Sequence, residues 1–459
     1  MANTYLNRTL GTPTNNKKWT YSAWIKKSGF DGNQGILSSG ADANNRGLIY
    51  FADNGKLFYY ETTSGTDTTE IGTNRLFRDV SAWYHVVVAV DTTQATETNR
   101  VKIYVNGTQE TSLSSSNYPS QDASNFINSA IRHDISGRNN HSTSDLYFNG
   151  YLSHVAFVDG QALAPTVFGE TDSSSGIWKF KSPSGVTWGT NGFWLKFENS
   201  GALGTDSSGN SNTFTVNGNG RQALDTPSNS SATLNPLVTY GTNQNALTEG
   251  NNTLTGIAYH RPSPPTLAVN KGKWYFEAKA LSGTATKWWI GLCDTEYDTF
   301  NQGGVSGSAN YIWGYDNTTN AVNQRSQAIY DVNLRDGGGN ISISNIFSAP
   351  SANDIYAMAV DLDNQKVWYA KNGVWNNGSA SQSTTFNASY PDSTNIDANR
   401  FYSIGVGSEN SKWSVNYGNG YFGTTAISSA GSNGNGSLFE YDVPSGFYAL
   451  NTKNINTYG

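Results

Sequence analysis

One cysteine, Cys293, stands among 459 residues, so no intramolecular disulfide can form and no cluster of cysteine thiolates can hold zinc. Charge is scarce as well, since Asp, Glu, Lys and Arg make up 14% where about 25% is usual. The net charge of −6 leaves no cationic excess to displace counterions from phosphates, so no nucleic-acid partner is expected. Apolar runs such as Val86–Val90 fall far short of the ~20 residues of a membrane-spanning helix, so no membrane insertion is expected. Met1 to Gly11 hold no apolar core of a signal peptide. No window repeats apolar residues at i, i+3, i+4 and i+7, and helix is expected only as single turns. The expectation is a soluble protein made in a reducing cytoplasm, reaching the outside of a cell by lysis if it works there.

Aromatic residues, by contrast, are plentiful: 13 Trp, 26 Tyr and 20 Phe, or 13% of the chain. Most of the remainder is Gly, Asn, Ser and Thr. Aromatic and β-branched residues favour strands, whereas Gly and Asn favour tight turns. Composition therefore points to an all-β protein. At about 150 residues per domain, the length fits three domains or two large all-β ones.

The pattern along the chain agrees. Trp19, Tyr21, Ala23 and Ile25 share one face at a period of two. Gly47–Phe51 and Lys56–Tyr60 flank Asn54-Gly55, a hairpin turn signal. Strand-like runs follow at Trp83–Asp91, Arg100–Val105, Asp145–Leu152 and His154–Asp159. Residues 181–231 are poor in apolar side chains and read as an extended connector with short strands. Strong strands return at Gly272–Leu281, Lys287–Cys293, Tyr311–Tyr315, Asp354–Leu362, Lys366–Lys371 and Arg400–Val406. The two halves also correspond. His85–Asp91 leads to Val101–Val105 and Asn106-Gly107, as Ile355–Asp361 leads to Lys366–Lys371 and Asn372-Gly373. The fold expected is two tandem antiparallel β-sandwiches of jelly-roll type, over residues 1–180 and 232–459.

Those residues carry two resemblances. Trp19–Trp24, Trp83–Val88, Val101–Gly107 and Phe148–Phe157 resemble the laminin-G-like, or concanavalin A-like lectin, domain. Gly272–Glu277, Trp289–Leu292, Ala359–Asp363, Val367–Gly373 and Tyr402–Gly405 resemble a SPRY domain. The combination is similar to virion proteins of marine and freshwater tailed bacteriophages. Gly176–Lys179, Gly189–Phe193, Asp206–Thr213, Thr233–Pro236 and Val443–Thr452 resemble segments of those proteins. The resemblance implies a tail-fibre or capsid-surface protein in the virion. Its partners would then be a cell-surface glycan or host receptor and other virion proteins, and a homo-oligomer, taken as a trimer, is expected.

Catalysis is not expected. Glycanases related to concanavalin A-like lectins carry Glu-x-Asp-x-x-Glu, with both carboxylates on one strand face. Glu170-Thr-Asp172, Glu296-Tyr-Asp298 and Glu440-Tyr-Asp442 all lack the second Glu, having Ser175, Asn301 and Ser445 there. The five histidines show no paired metal spacing, and His85 reads as structural. Trp83, Trp274, Trp288, Trp289 and Trp368 read as core.

Binding is easier to motivate. Lectin-like folds hold sugars with loop Asp and Asn side chains and an aromatic platform, sometimes with Ca²⁺. The loop 136–145 supplies Arg138, Asn139, Asn140, His141 and Asp145, with the fork of Arg138 suited to acidic glycans. Asp31, Asn33 and Arg46 are secondary candidates. Tyr297 and Arg325 are candidates in the second half, where SPRY domains present their binding surface. No cofactor is expected other than Ca²⁺. The alternatives are a structural capsid decoration protein and a glycan-degrading enzyme.

Overall fold

The computed structural model describes residues 3–140, 143–238, 244–257, 261–294, 313–316, 321–323, 342–344, 347, 351–377, 382–392 and 400–459. The chain is 44% strand and 4% helix, and forms two compact units, Met1–Gln222 and Ala223–Gly459. The fold is all-β, with antiparallel sheets whose one parallel strand pairing among the described residues joins Trp274–Tyr275 to Tyr448–Ala449. No described helix is long and apolar enough to cross a membrane.

The first unit begins with β1 (Tyr5–Thr9), β2 (Lys18–Lys27), β3 (Gln34–Asp42), β4 (Asn45–Phe51), β5 (Leu57–Thr63) and β6 (Thr66–Thr73). There follow β7 (Tyr84–Asp91), β8 (Val101–Val105), β9 (Thr108–Gln109), β10 (Leu113–Asn117), β11 (Arg132–Ile135) and β12 (Arg138–Asn140). The set ends with β13 (Thr143–Asp145), β14 (Gly150–Asp159), β15 (Gly169–Thr171), β16 (Trp178–Phe180), β17 (Phe193–Leu195) and β18 (Thr215–Asn217). An eight-stranded sheet runs β10-β6-β5-β4-β3-β11-β1-β18, and a six-stranded sheet runs β17-β14-β2-β7-β8-β9. Their facing sides interdigitate: Trp19, Tyr21, Val86, Val88 and Phe157 of one meet Ile49, Phe51, Leu57 and Tyr59 of the other. The stretch read as a connector supplies β17 and β18 to this unit, with Phe193, Leu195 and Phe214 in its core.

The outer face of the six-stranded sheet is covered. Val87, Ala156 and Val158 pack under Phe168 and Trp194, and Trp178 lies against Gly107 and Gly169, where a Cβ would meet its ring within 2.5 Å. The two segments read as separate strands around Ser153 are one strand, β14, whose pairing shifts between Ser153 and Ala156. His154 sits at that bulge with φ 48° and stacks on Phe180.

In the second unit Lys273–Asp294 is one strand with two register shifts, where the sequence read as two strands. It pairs with Tyr402–Asn416 from Glu277 to Asp294 and with Ile355–Asp361 over its first third. Trp274 and Phe276 face one core while Tyr275 faces a second, with Trp368 and Phe447. Trp83 is buried as expected, and the Trp288 and Trp289 side chains lie outside the described residues. Among the described residues there is one α-helix, Thr452–Tyr458, where only single turns were expected. Asn451 caps it by accepting from the Asn454 amide at 2.9 Å, a local bond that apolar periodicity does not register.

The correspondence between the halves extends to atoms. Asn106 Oδ1 accepts from the His85 amide at 2.8 Å, and Asn372 Oδ1 accepts from the Ile355 amide at 2.8 Å. Both Asn-Gly turns have positive φ at both residues, the geometry of a type I′ hairpin. A second shared device is a buried Tyr-x-Glu. Tyr59 donates to Glu61 at 3.0 Å, and the same carboxyl accepts from the amides of Phe126 and Ile127 at 2.9 and 3.2 Å. Tyr275 donates to Glu277 at 2.9 Å, and that carboxyl accepts from Glu440 and Tyr441 at 2.8 and 2.9 Å. Each clamp ties a crossing segment to a strand through two consecutive amides.

Candidate functional site on the open face of the eight-stranded sheet

With one sheet face in the core, the other face of the eight-stranded sheet is where side chains can meet a ligand. A ribbon made of β12 and β13 lies on it, and β3 is shaped to receive it. Gly35, Ser38 and Gly40 present small side chains there: a Cβ on Gly35 would come within 2.8 Å of the Gly137 carbonyl. Ser38 Oγ donates to Gly137 O at 3.0 Å and accepts from the Asn139 amide at 2.8 Å. On the other side Ser144 donates to Asp134 at 2.5 Å and accepts from Arg132 at 2.8 Å. The two strands of the ribbon are joined across by Arg138, whose Nε and Nη2 donate to the Asp145 carboxylate at 2.7 and 2.5 Å.

Beside the ribbon lies an aromatic platform. Alternation sends Ile49 and Phe51 of β4, with Leu57 and Tyr59 of β5, into the core. The intervening Tyr50, Phe58 and Tyr60 therefore face outward, half-buried. Tyr50 and Phe58 stack with centroids 5.5 Å apart, and Phe58 lies over Gly72, where a Cβ would meet its ring at 2.3 Å.

Two acids join them through a bulge. Tyr60 pairs with Glu70 and Thr62 with Asp67, because the register slips between Glu61 and Thr62. Residues three apart on a regular strand point to opposite faces, and here the bulge returns both to one face. Tyr60 donates its hydroxyl to Asp67 at 2.5 Å. Burial, followed by Glu70, Tyr60, Asp53 and Asp67, pushes the Tyr50 hydroxyl up to about 12. Arg138 is held above its ordinary value by its bond to Asp145, against the opposing effect of burial. Arg46, half-buried near Gly40, has an Nε with no hydrogen-bond partner.

The structure thus brings Arg138 and Asp145 together, as an ion pair across the ribbon rather than two groups presented to a ligand. Asn139 is corrected: it is 2% exposed, and its Nδ2 donates to Gly40 O and Arg132 O at 3.0 and 3.2 Å. The reason is that β12 lies flat on β3 and turns this side chain inward. The Asn140 side chain, His141, Tyr297 and Arg325 lie outside the described residues. Asp31 and Asn33 are exposed, and Asn33 Oδ1 accepts from the Asp53 amide at 3.1 Å, which sets that loop beside the β4–β5 turn. Both oxygens of Asp145 are taken by guanidinium, so this carboxylate does not suit Ca²⁺. Among the described residues no three His, Cys, Asp or Glu gather as metal ligands.

Other acids and histidines have structural partners. Lys179 binds Asp172 and Glu170 at 3.0 and 3.6 Å, and Asp442 accepts from the Ser432 amide at 2.6 Å. Glu296 and Asp298 lie outside the described residues. Trp178 donates to His85 Nδ1 at 3.0 Å, so Nε2 carries the proton toward Ser22 Oγ at 2.9 Å. Burial lowers His85 to about 3 and His133 to about 4. Neither serves as a ligand. The residues that sequence reasoning missed are Tyr50, Phe58, Tyr60, Asp67 and Glu70. The alternation around Asn54-Gly55 carried the signal for the aromatics, whereas the bulge that aligns the acids left none.

Two family models match the chain: the concanavalin A-like lectin/glucanases superfamily over residues 2–167, and the SPRY domain over residues 273–391. The chain carries a laminin-G-type, concanavalin A-like domain followed by a SPRY domain. No curated protein matches it. Among solved structures, it is similar to the CBM40 module of an IT-sialidase from Ruminococcus gnavus. That match has 16% identity and a TM-score of 0.27, covering 33% of this chain and 80% of that one. Mouse laminin α1 domains LG4-5 match at 11% identity and a TM-score of 0.29, covering 90% of this chain and 78% of theirs. The SPRY domain of human HERC1 matches at 12% and 0.23, covering 36% of this chain and 87% of that one.

Proposed function

We propose that this chain is a non-enzymatic surface protein of a tailed-phage virion whose first unit binds glycan. The observation that carries the binding is the platform of Tyr50, Phe58 and Tyr60, flanked by Asp67 and Glu70 on the sheet face that the core leaves open. Aromatic faces cover the C–H face of a pyranose, while carboxylates accept from its hydroxyls. The virion assignment rests on the sequence resemblance of Gly176–Lys179, Asp206–Thr213 and Val443–Thr452 to segments of phage virion proteins. Asp206 accepts from the amides of Trp194, Ser208 and Asn212 at 2.8–2.9 Å, so one of those segments is a turn knotted around a carboxylate.

The test is host-cell adsorption and glycan-array binding by the purified protein. Tyr50→Ala is expected to reduce both by about tenfold or more with melting unchanged. Undiminished binding would remove the platform from the proposal. Immunogold labelling and cross-linking on virions are expected to place the chain on the particle surface, as a homotrimer or against another virion protein. A second reading, a glycan-degrading enzyme, is favoured by one observation, the two carboxylates on one face beside Tyr60. Product release from a bound glycan, abolished by Asp67→Asn with Glu70→Gln, would establish it over binding alone.

A further inference from the structure

Resting on the reading of this platform as a glycan site, we propose that it takes an acidic glycan in one orientation, with a sugar carboxylate on Arg46 and the neighbouring sugar on Tyr50, Phe58 and Tyr60. Three arginines lie around the ribbon, and two are committed: Arg132 to Asp134 at 2.8 Å, and Arg138 to Asp145 at 2.7 and 2.5 Å. Arg46 is not. No hydrogen bond or ion pair ends on its terminal nitrogens. The nearby acids are engaged elsewhere: Asp42 accepts from the Asn44 amide at 2.7 Å and from Asn45 at 3.0 Å, and Asp67 accepts from Tyr60 and Thr62. The stem of Arg46 is held, since its Cβ and the Asn139 carbonyl both lie within 3.5 Å of where a Cβ on Gly40 would stand. Its Nε is buried, so only Nη1 and Nη2 are left to a ligand, a pair that grips both oxygens of a carboxylate end-on. Half-burying a guanidinium costs free energy that a partner offsets, and the fold supplies none here.

The register places this cation in line with the platform. Arg46, Leu48 and Tyr50 share the outer face of β4, paired in turn with Thr62, Tyr60 and Phe58 of β5. At about 3.3 Å per residue, Arg46 and Tyr50 stand about 13 Å apart, so the carboxylate and the stacked ring belong to linked sugars rather than to one. Asp67 is paired with Thr62 one strand further on, a backbone separation of about 10 Å from Arg46. A carboxylate in contact with Arg46 therefore gains more than it loses to Asp67, which acts across about a Debye length. Turned round, the same carboxylate would lie against Asp67 and Glu70 and be repelled, and this sets the direction of the glycan. The fork of Arg138, read from sequence as suited to acidic glycans, is an internal strut, and Arg46 takes that part.

The experiment is an array of acidic oligosaccharides, each printed also as its carboxyl methyl ester and with a sulfate ester in place of the carboxylate, probed with the full chain from low to physiological salt. The free acid is expected to exceed its methyl ester by about tenfold at low salt, with the gap narrowing as salt rises. Arg46→Gln is expected to bring acid and ester within about twofold of each other, and Arg46→Lys, which keeps the charge without the fork, to fall between. A melting curve reports whether each variant is folded, and the gap between acid and ester in the unaltered chain tests the proposal without any variant. Acid and ester bound equally, with both lost in Tyr50→Ala, would overturn the carboxylate capture and leave the glycan site standing. A gap that persists in Arg46→Gln and closes in Arg138→Ala would overturn the assignment to Arg46. Sulfate esters bound more strongly than the acids would overturn the choice of carboxylate. Binding of no member, or binding indifferent to Tyr50→Ala, would overturn the glycan site as well.

Discussion

Glu61 and Glu277 are the residues where burial and hydrogen bonding oppose each other most directly. Each accepts two backbone amides and a tyrosine hydroxyl, which favour the carboxylate, yet burial outweighs them and raises Glu61 to about 8 and Glu277 to about 7. In the unfolded chain both return to their ordinary 4.5, so the folded state holds these protons more tightly. Their contribution to stability is greatest below about pH 4.5 and is lost as pH rises to about 8, by roughly 3–5 kcal/mol for Glu61. The histidines act in the other direction. Burial lowers His85 to about 3, and His133 and His154 to about 4, from 6.5. The unfolded chain takes up protons below 6.5 that the folded chain refuses, and stability falls as pH drops toward 4. Thermal melts between pH 4 and 9 are expected to show a maximum at about pH 6. Glu61→Gln with Glu277→Gln should flatten the alkaline limb. A wild-type melting temperature constant from pH 6 to 8 would contradict the clamp account.

At the scale of elements, the ribbon and the bulge decide where the site is. The seat on β3 exists because Gly35, Ser38 and Gly40 leave the backbone of residues 137–139 room to lie flat. Gly35→Val would drive its side chain into the Gly137 carbonyl and is expected to cost about 1–3 kcal/mol, lifting the ribbon. Arg138→Ala removes only a partly exposed pair and is expected to cost about 1 kcal/mol or less. Denaturant melts of the two variants should rank in that order, and the reverse order would mean that the ion pair, not the seat, holds the ribbon. The bulge in β6 has an equally local effect, since without it Asp67 and Glu70 would fall on opposite faces and only one would reach the platform.

For the whole molecule, the two units repeat the same solutions: a hairpin closed by Asn-Gly, and a Tyr-x-Glu clamp on two amides. Each has its own core, with Trp19 and Tyr59 in the first and Trp274 and Trp413 in the second. A fragment of residues 1–222 is therefore expected to fold alone, with a cooperative melt and the glycan binding of the full chain. A fragment cut at 180 loses Phe193, Leu195 and Phe214 from its core and is expected to be less stable by several kcal/mol. Equal melting temperatures for the two fragments would show that 181–222 contributes nothing to this unit.

Strands with period two, Asn-Gly turns and the absence of a helical stripe determined the all-β fold from sequence, because alternation and turn chemistry are local properties of the chain. The matching hairpins at Asn106 and Asn372 were legible for the same reason. The site was legible only in part. Arg138 and Asp145 stood out by their chemistry, but whether they face a ligand or each other depends on how β12 and β13 fold back over β3 and β11. Asn139 looked like a loop residue, and only the ribbon's seat shows it turned inward. Asp67 and Glu70 gave no signal, because one extra residue in β6 reverses which face they share. What the tertiary structure decided is which side chains spend their hydrogen bonds on one another and which keep them for a ligand, since that follows from contacts between segments distant in the chain.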